Sequence, residues 1–318
     1  MTSATTSVAA VLSALSGKDF LSSADTTAEQ TAALLELASQ LKSGDRRIDL
    51  GNRVLGLIFT KASTRTRVSF QVAMARLGGQ TVDLNPQVTQ LGRGEPLEDT
   101  ARVLSRFCDV LAVRTFAQQE LADYAFWASI PVINALTDLE HPCQALADFL
   151  TMQEAFGDLQ GQTLTYVGDG NNVAHSLMLC GALLGVNVRI ACPDGFEPLP
   201  GVLDQARSLA VGGAQISVTT DPETAVSGVQ ALYTDVWASM GQEQEQQERA
   251  QAFQGFCVNE ELLAKADSRA IVLHCLPAHR GEEISAEVME SSASRIFDQA
   301  ENRLHAQQAL LAALLGGL

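Results

Sequence analysis

RVLGLIFT at Arg53–Thr60 runs through Lys61 and Ala62 into Ser63-Thr64-Arg65-Thr66-Arg67, and from there into Val68–Leu77. The first stretch is a short, almost unbroken apolar run of strand length. In the last, Phe70, Ala73, Met74 and Leu77 fall on one face of a helix. A strand that feeds a helix is half of a β-α-β unit, and the turn between them lies at the strand's C-terminal end, where such folds place their ligands. This turn is basic and dense in hydroxyls. Hydroxyls at a helix start cap free backbone N–H groups, and those groups with the helix dipole attract anions. Arg65 and Arg67 add charge-assisted donors that match phosphate oxygens. Taken alone, the turn also reads as an ordinary helix cap with two solvent-facing arginines. In a chain of net charge −16, so local a concentration of positive charge favours a phosphate site.

The same alternation extends in both directions. Strand candidates are Arg53–Thr60, Val110–Thr115 and Pro131–Ala135, with helical patterns at Val68–Leu77, Pro96–Phe107 and Gln118–Ala128 between and beside them. A second series holds strand candidates at Thr163–Val167, Val186–Ala191, Gln215–Thr219, Ala231–Thr234 and Ala270–His274. Such alternation implies α/β architecture, with parallel sheets covered by helices. A chain of 318 residues exceeds what one hydrophobic core usually organises, so two domains are expected. No Pro/Gly/Ser-rich linker separates the halves, and the join is expected within the apolar helical stretch Gln144–Phe156. The last helical stretch, Ala300–Leu315, ends in leucines that must dock.

Composition excludes several function classes. With 46% hydrophobic and 18% charged residues, there is ample material for a core, which argues against global disorder. A net charge of −16 repels phosphodiester backbones and anionic lipids, so neither nucleic acid nor a membrane surface is an expected partner. Cys108, Cys143, Cys180, Cys192, Cys257 and Cys275 form no C-x-x-C pair and lie in or beside apolar stretches, as free thiols of a reducing, cytoplasmic setting do. No apolar run is long enough to span a bilayer. Residues 1–16 lack the basic start of a targeting signal and read as a frayed tail. The Gln- and Glu-rich segment Gln242–Gln254 reads as a solvated helix face.

Further motifs follow strand candidates. His141-Pro142-Cys143-Gln144 opens a helix just after Asp138 and Glu140, so His141 and Gln144 can point into one pocket. A metal site at His141 and Cys143 lacks a second ligand pair at zinc spacing. Asp235-Val236-Trp237-Ala238-Ser239-Met240-Gly241 offers a carboxylate for an ammonium group, then a turn whose N–H groups suit a carboxylate. As an isolated feature it is equally a turn capped by Asp. His274-Cys275-Leu276-Pro277-Ala278 places Cys275 where doubly wound proteins put reactive groups, although buried cysteines are common in strands. Gly168-Asp169-Gly170-Asn171-Asn172-Val173 is similar to the dinucleotide fingerprint, but Val173 stands where the third glycine belongs, and Asn171 and Asn172 at the helix start could instead cap it or reach a ligand.

Together these stretches resemble the carbamoyltransferase family, and within it the ornithine branch. FTKASTRTR at 59–67 and HPCQALAD at 141–148 are similar to motifs shared across the family. GDGNN at 168–172, DVWASMG at 235–241, HCLPA at 274–278 and ENR at 301–303 are similar to those of the ornithine branch; the aspartate branch has HPLPR for the last strand motif. The resemblance runs from Lys18 to Leu310. It implies two doubly wound parallel-sheet domains with the active site in the cleft between them. Residues 1–150 would bind carbamoyl phosphate, 151–285 would bind ornithine, and 286–318 would be a C-terminal helix returning to the first domain. The implied reaction moves the carbamoyl group of carbamoyl phosphate to the δ-amine of L-ornithine, giving L-citrulline and phosphate in arginine metabolism. The family implies no metal or organic cofactor, and a homotrimer or a multiple of trimers.

Roles carry over residue by residue. Ser63, Thr64, Arg65 and Thr66 would hold the phosphate, and Arg114, His141 and Gln144 the carbamoyl end. Gln90 would reach into a neighbouring subunit's site, and Arg303 would join the carbamoyl-phosphate side from the C-terminal helix. Asn172, Asp235, Ser239 and Met240 would bind the amino-acid end of ornithine, with Cys275 and Leu276 beside the reacting amine. Arg114, His141, Asp235 and Cys275 form the expected catalytic set. Three rival readings are a nicotinamide-dependent dehydrogenase resting on Gly168–Val173, a non-catalytic regulatory subunit, and a sister carbamoyltransferase acting on putrescine or another amine. The Asp235 carboxylate and the Ser-Met-Gly turn favour a substrate with an α-amino-acid end.

Overall fold

In a computed structural model that describes residues 7–85, 94–238 and 246–318, the opening stretch forms β1 (Val54–Phe59) and the helix Arg65–Arg76. The chain divides into two compact units. Unit 1 comprises Met1–Ala147 with Arg303–Leu318, and unit 2 comprises Asp148–Asn302. The first border falls inside the helix Pro142–Phe156 and the second inside the helix Ile296–Leu314.

The sheet of unit 1 contains β1, β2 (Gln80–Leu84), β3 (Val110–Arg114) and β4 (Val132–Leu136) in the order β2-β1-β3-β4, every pair parallel. β3 is buried throughout, as a central strand covered by helices on both faces must be, and its sequence VLAVR is accordingly almost continuous in apolar residues. Edge strand β2 has no counterpart among the strand candidates. Its sequence QTVDL is largely exposed, so no apolar run marks it, and its pairing with β1 is what makes it a strand. Gly56 lies in β1 because a Cβ there would come within 2.8 Å of Leu111 Cδ2.

Unit 2 holds β5 (Thr163–Val167), β6 (Asn187–Ala191), β7 (Ile216–Thr219), β8 (Ala231–Thr234) and β9 (Ile271–His274), again all parallel, in the order β7-β6-β5-β8-β9. In each sheet the winding reverses once, between β1 and β3 in unit 1 and between β5 and β8 in unit 2. Loops leaving the two strands at such a point diverge and open a crevice at their C-terminal ends. Ser63–Thr66 and Arg114 leave the first point; Gly168–Asn172 and Asp235 leave the second.

Three expectations are corrected. Residues 7–16 are not frayed: Ser7 caps the helix Val8–Leu12, Leu12 and Leu15 are buried, and Gly17 N–H donates to the Leu314 carbonyl at 2.9 Å. Residues 286–302 do not leave with the C-terminal helix. They belong to unit 2, where Val288, Met289 and Ile296 enter the core and Gln299 donates to Asp148 Oδ1 at 2.6 Å. The Gln/Glu-rich segment is not simply a solvated face. Within it the helix Gln246–Ala252 buries Arg249, and Phe253 is fully buried. Its ring stacks on Trp237 at 5.6 Å and meets Phe196 edge-on at 4.8 Å.

Among the described residues no helix is long and apolar enough to cross a membrane. All six cysteines are free thiols.

Phe253 joins Trp237 and Phe196 to the core of unit 2. Phe253→Ala should therefore destabilise the protein by about 3–5 kcal/mol, while the exposed neighbour change Gln247→Ala should stay within about 0.5 kcal/mol of the parent. Urea or thermal unfolding of both variants measures the difference, and equal effects would contradict this packing.

Candidate active site

The helix Arg65–Arg76 begins at Thr64, which makes no side-chain capping bond, so the sequence-based expectation of a hydroxyl cap is not met there. The helix start faces outward without a side chain of its own covering its N–H groups. Thr64 and Arg65 are exposed, Ser63 is half-buried and Thr66 is buried. Arg67 does not face this turn: it pairs with Asp83 on β2 and lies over the Phe59 ring at 5.2 Å.

Thr66 is where unit 1 converges. Its Oγ1 accepts from Arg114 Nη1 at 3.3 Å and from Arg303 Nη2 at 2.9 Å. Arg303 Nη1 donates in turn to Gln144 Oε1 at 2.6 Å. A hydroxyl has two lone pairs and one proton. With both lone pairs taken by guanidinium groups, the hydroxyl proton is what Thr66 has left to offer a ligand oxygen. Arg114 reaches this point from the end of β3, and Arg303 from the C-terminal helix.

His141 is buried beside these cations. Burial first, then Arg303, Arg114 and Arg65, hold its imidazole well below the ordinary histidine value. It is therefore a neutral ring that can donate one N–H to a carbonyl oxygen without bringing a charge of its own. The neighbouring Cys143 donates to the Asn134 carbonyl at 3.4 Å, and burial pushes its thiol up to about 12. Among the described residues, His141 and Cys143 belong to no cluster of three metal-ligand side chains. Glu140 is structural: it accepts from the Ser22 hydroxyl and, at 3.0 Å, from Ser23 N–H. Asp138 pairs with Lys61, a buried cation with Phe116 beneath it at 4.0 Å. Lys61 was absent from the expected site residues, although a lysine inside a strand-to-helix turn was a visible signal.

In unit 2, Asp235 follows β8 and is 5% exposed. Its Oδ1 accepts from Cys275 Sγ at 3.0 Å and from Val236 N–H at 2.8 Å; its Oδ2 accepts from Asn171 Nδ2 at 3.2 Å. No cationic side chain pairs with it among the described residues. Cys275 thus acts as a donor to a carboxylate, which leaves it poorly placed as a nucleophile. Leu276 turns the chain sharply, at φ 60°, a region costly to a branched side chain and often found at functional sites. The turn is held by His274: its Nδ1 accepts Leu276 N–H at 2.9 Å, so the ring proton sits on Nε2 and faces Glu283 Oε1 at 3.1 Å. Asn172 is half-buried and opens the helix Asn172–Leu183. Gln90, Ser239 and Met240 lie outside the described residues. Asn171 caps the helix, one of the two roles its place at the helix start suggested; Glu283 was not singled out from the sequence, because its role lies in contacts rather than in spacing.

Among the described residues, two clusters carry metal-ligand side chains within 4.8 Å of one another: Asp235, His274 and Cys275, and His279, Glu282 and Glu283. The buried His274–Glu283 hydrogen bond joins a member of each. The glycines of GDGNN serve packing. A Cβ on Gly170 would come within 2.2 Å of Pro198 N, and Gly170 N–H donates to the Phe196 carbonyl at 2.8 Å. Gly170 therefore makes room for the backbone of residues 196–198. A cavity of about 590 Å³ lined by Arg46, Arg76 and Gln308 opens beside the N-terminal ends of β1 and β2, the opposite end of the strands from Thr66 and Arg114.

Two all-parallel sheets, each with its polar side chains gathered beyond the strand ends at the winding reversal, define a doubly wound α/β enzyme. Residues 18–154 match the model of the aspartate/ornithine carbamoyltransferase carbamoyl-P binding domain, and residues 160–314 that of the Asp/Orn binding domain. The chain belongs to the aspartate/ornithine carbamoyltransferase family and is a transferase. It is similar to the ornithine carbamoyltransferase of Parasynechococcus marenigrum, 83% identical with 100% of both chains covered. Among solved structures it is similar to ornithine carbamoyltransferase from Pyrococcus furiosus, 48% identical with a TM-score of 0.91, covering 96% of this chain and 99% of that one. The Gloeobacter violaceus ornithine carbamoyltransferase is 55% identical with a TM-score of 0.86, covering 93% and 98%.

The environment of His141 has a titration consequence. Below about pH 6.5 the unfolded chain takes a proton on this residue that the folded chain refuses, so this group withdraws stability as pH falls through that range. The His141 ring nitrogens should keep neutral-imidazole NMR shifts at about pH 6. A charged ring there would contradict the cationic surroundings described.

Proposed function

We propose that this protein transfers the carbamoyl group of carbamoyl phosphate to the δ-amine of L-ornithine, giving L-citrulline and phosphate, as a step of arginine metabolism in the cytoplasm. The observation that carries the reading is Asp235, a buried carboxylate with both oxygens hydrogen-bonded and no cationic partner among the described residues. Such a group is costly unless a cation completes it, and the α-ammonium of an amino acid does so. The identity to relatives that bear the ornithine name supports the same choice.

In this reading Ser63, Thr64, Arg65 and Thr66 take the phosphate, and Arg114, His141, Gln144 and Arg303 the carbamoyl end. Gln90 belongs to the same set and acts from a neighbouring subunit of a homotrimer. Asn172, Asp235, Ser239 and Met240 hold the amino-acid end of ornithine, with Cys275 and Leu276 beside its reacting amine. The uncharged δ-amine attacks the carbamoyl carbon, and the carbonyl oxygen takes up negative charge. Arg114, the Thr66 hydroxyl proton and a His141 N–H meet that charge, usually the largest catalytic contribution. The carbon–oxygen bond to phosphate then breaks, its electron pair leaving with the phosphate, and the departing phosphate takes the proton that the nitrogen gives up. No covalent enzyme intermediate and no resident metal enters this sequence.

Citrulline formation should be seen with ornithine and carbamoyl phosphate, and not with aspartate in place of ornithine. Activity should rise with pH, because an alkyl amine with a free pKa of about 10.4 must shed a proton before it attacks. Asp235→Asn should raise the ornithine KM and erode discrimination against putrescine; unchanged discrimination would remove Asp235 from the amino-acid site. Mixing chains inactivated at Gln90 with chains inactivated at Arg65 should restore part of the activity in hybrid trimers. Hybrids no better than either parent would defeat the shared-site arrangement.

A further inference from the structure

Asp235 is held at both oxygens, and the group on Oδ2 belongs to Asn171. Asn171 is also the cap of the helix Asn172–Leu183, its Oδ1 accepting from Val173 N–H at 2.9 Å and Ala174 N–H at 3.2 Å. The Tyr166 hydroxyl lies 3.4 Å from the same oxygen, and burial holds that phenol well above its ordinary value, so it stays a donor. An amide whose oxygen faces these donors has one orientation left. Its NH2 group must face Asp235.

The helix alone does not require asparagine. Serine or aspartate caps as well. Aspartate would set a second carboxylate against Asp235, and serine is too short to reach it while capping. Among the good caps, asparagine alone accepts from the helix and donates to a carboxylate across the crevice between β5 and β8. We propose that Asn171 is a positioning residue for ornithine, turning the Asp235 carboxylate so that its remaining lone pairs face the substrate ammonium. The inference rests on the ornithine reading of unit 2, and it adds to that reading the residue that makes Asp235 a fixed receptor. It also ties Cys275 to the same carboxylate, since the thiol and the amide share it.

Asn171→Ser and Asn171→Asp both keep a helix cap and remove the donor, so the fold should survive. In the full-length enzyme the ornithine KM should rise by about ten- to a hundredfold, the loss expected for a hydrogen bond to a charged group. The carbamoyl-phosphate KM and the thermal midpoint should stay at their parent values. Asn171→Asp should also add an acid-side pH dependence to kcat/KM for ornithine, because neighbouring carboxylates raise one another's pKa. Without substrate, alkylation of Cys275 by iodoacetamide, followed by mass spectrometry, should slow in both variants as Asp235 draws harder on its remaining side-chain donor. Citrulline from the parent enzyme with unchanged ornithine KM and unchanged Cys275 alkylation in the variants would overturn the positioning role alone. A parallel rise of both KM values with a lowered thermal midpoint would also overturn it, leaving Asn171 a helix cap. No citrulline from the parent enzyme would overturn the ornithine reading and this inference with it.

Discussion

Parallel pairing is the constraint on which the rest depends. Parallel strands cannot be joined by tight turns, so each connection returns over a face of the sheet, and here most of them do so as helices. The central strands of both sheets are thereby buried on two faces and are built from apolar runs. Polar chemistry is displaced to the strand ends, and it concentrates where the winding reverses: between β1 and β3, and between β5 and β8. Thr66 and Arg114 in one unit, and Asn171 and Asp235 in the other, are consequences of that geometry.

The two ligand regions solve opposite electrostatic problems. The chain carries a net charge of −16, yet Arg65, Arg114 and Arg303 gather near one buried imidazole in unit 1. Arg114 and Arg303 are held there by donating to fixed neutral acceptors, the Thr66 hydroxyl and the Gln144 amide. Unit 2 inverts this logic. Asp235 is kept from any cationic side chain among the described residues and steadied by a thiol and an amide. Each unit thus holds its functional charge with neutral dipoles, which orient a group while leaving its charge available to a ligand.

That choice also explains residues that look incidental in a linear reading. Cys275 donates rather than attacks. Leu276 tolerates its backbone conformation because the His274 ring takes its N–H and Glu283 takes the ring's own proton. Gly170 makes room for the backbone of residues 196–198, which explains a glycine-rich turn without a dinucleotide.

The sequence by itself determined the α/β class, eight of the nine strands among the described residues and the helix patterns, because buried parallel strands must be apolar runs and their covering helices must be amphipathic. It also marked the polar turns at Ser63–Thr66, His141–Gln144, Asp235 and Cys275 as candidate ligand sites, since chemistry displaced to strand ends stays contiguous with the strands. Tertiary structure decided what local pattern does not encode. Edge strand β2 exists through pairing, not through hydrophobicity. Residues 7–16 are ordered by the packing of the helix Val8–Leu12 on the helix Ala28–Ser43, and Phe253 is buried by the Trp237 and Phe196 rings, remote from its polar neighbours. Arg303 reaches Thr66 across 237 residues, and Asn171 reaches Asp235 across 64. Periodicity reports which face of an element is covered; only the folded chain settles which polar atom completes which partner's hydrogen bonds.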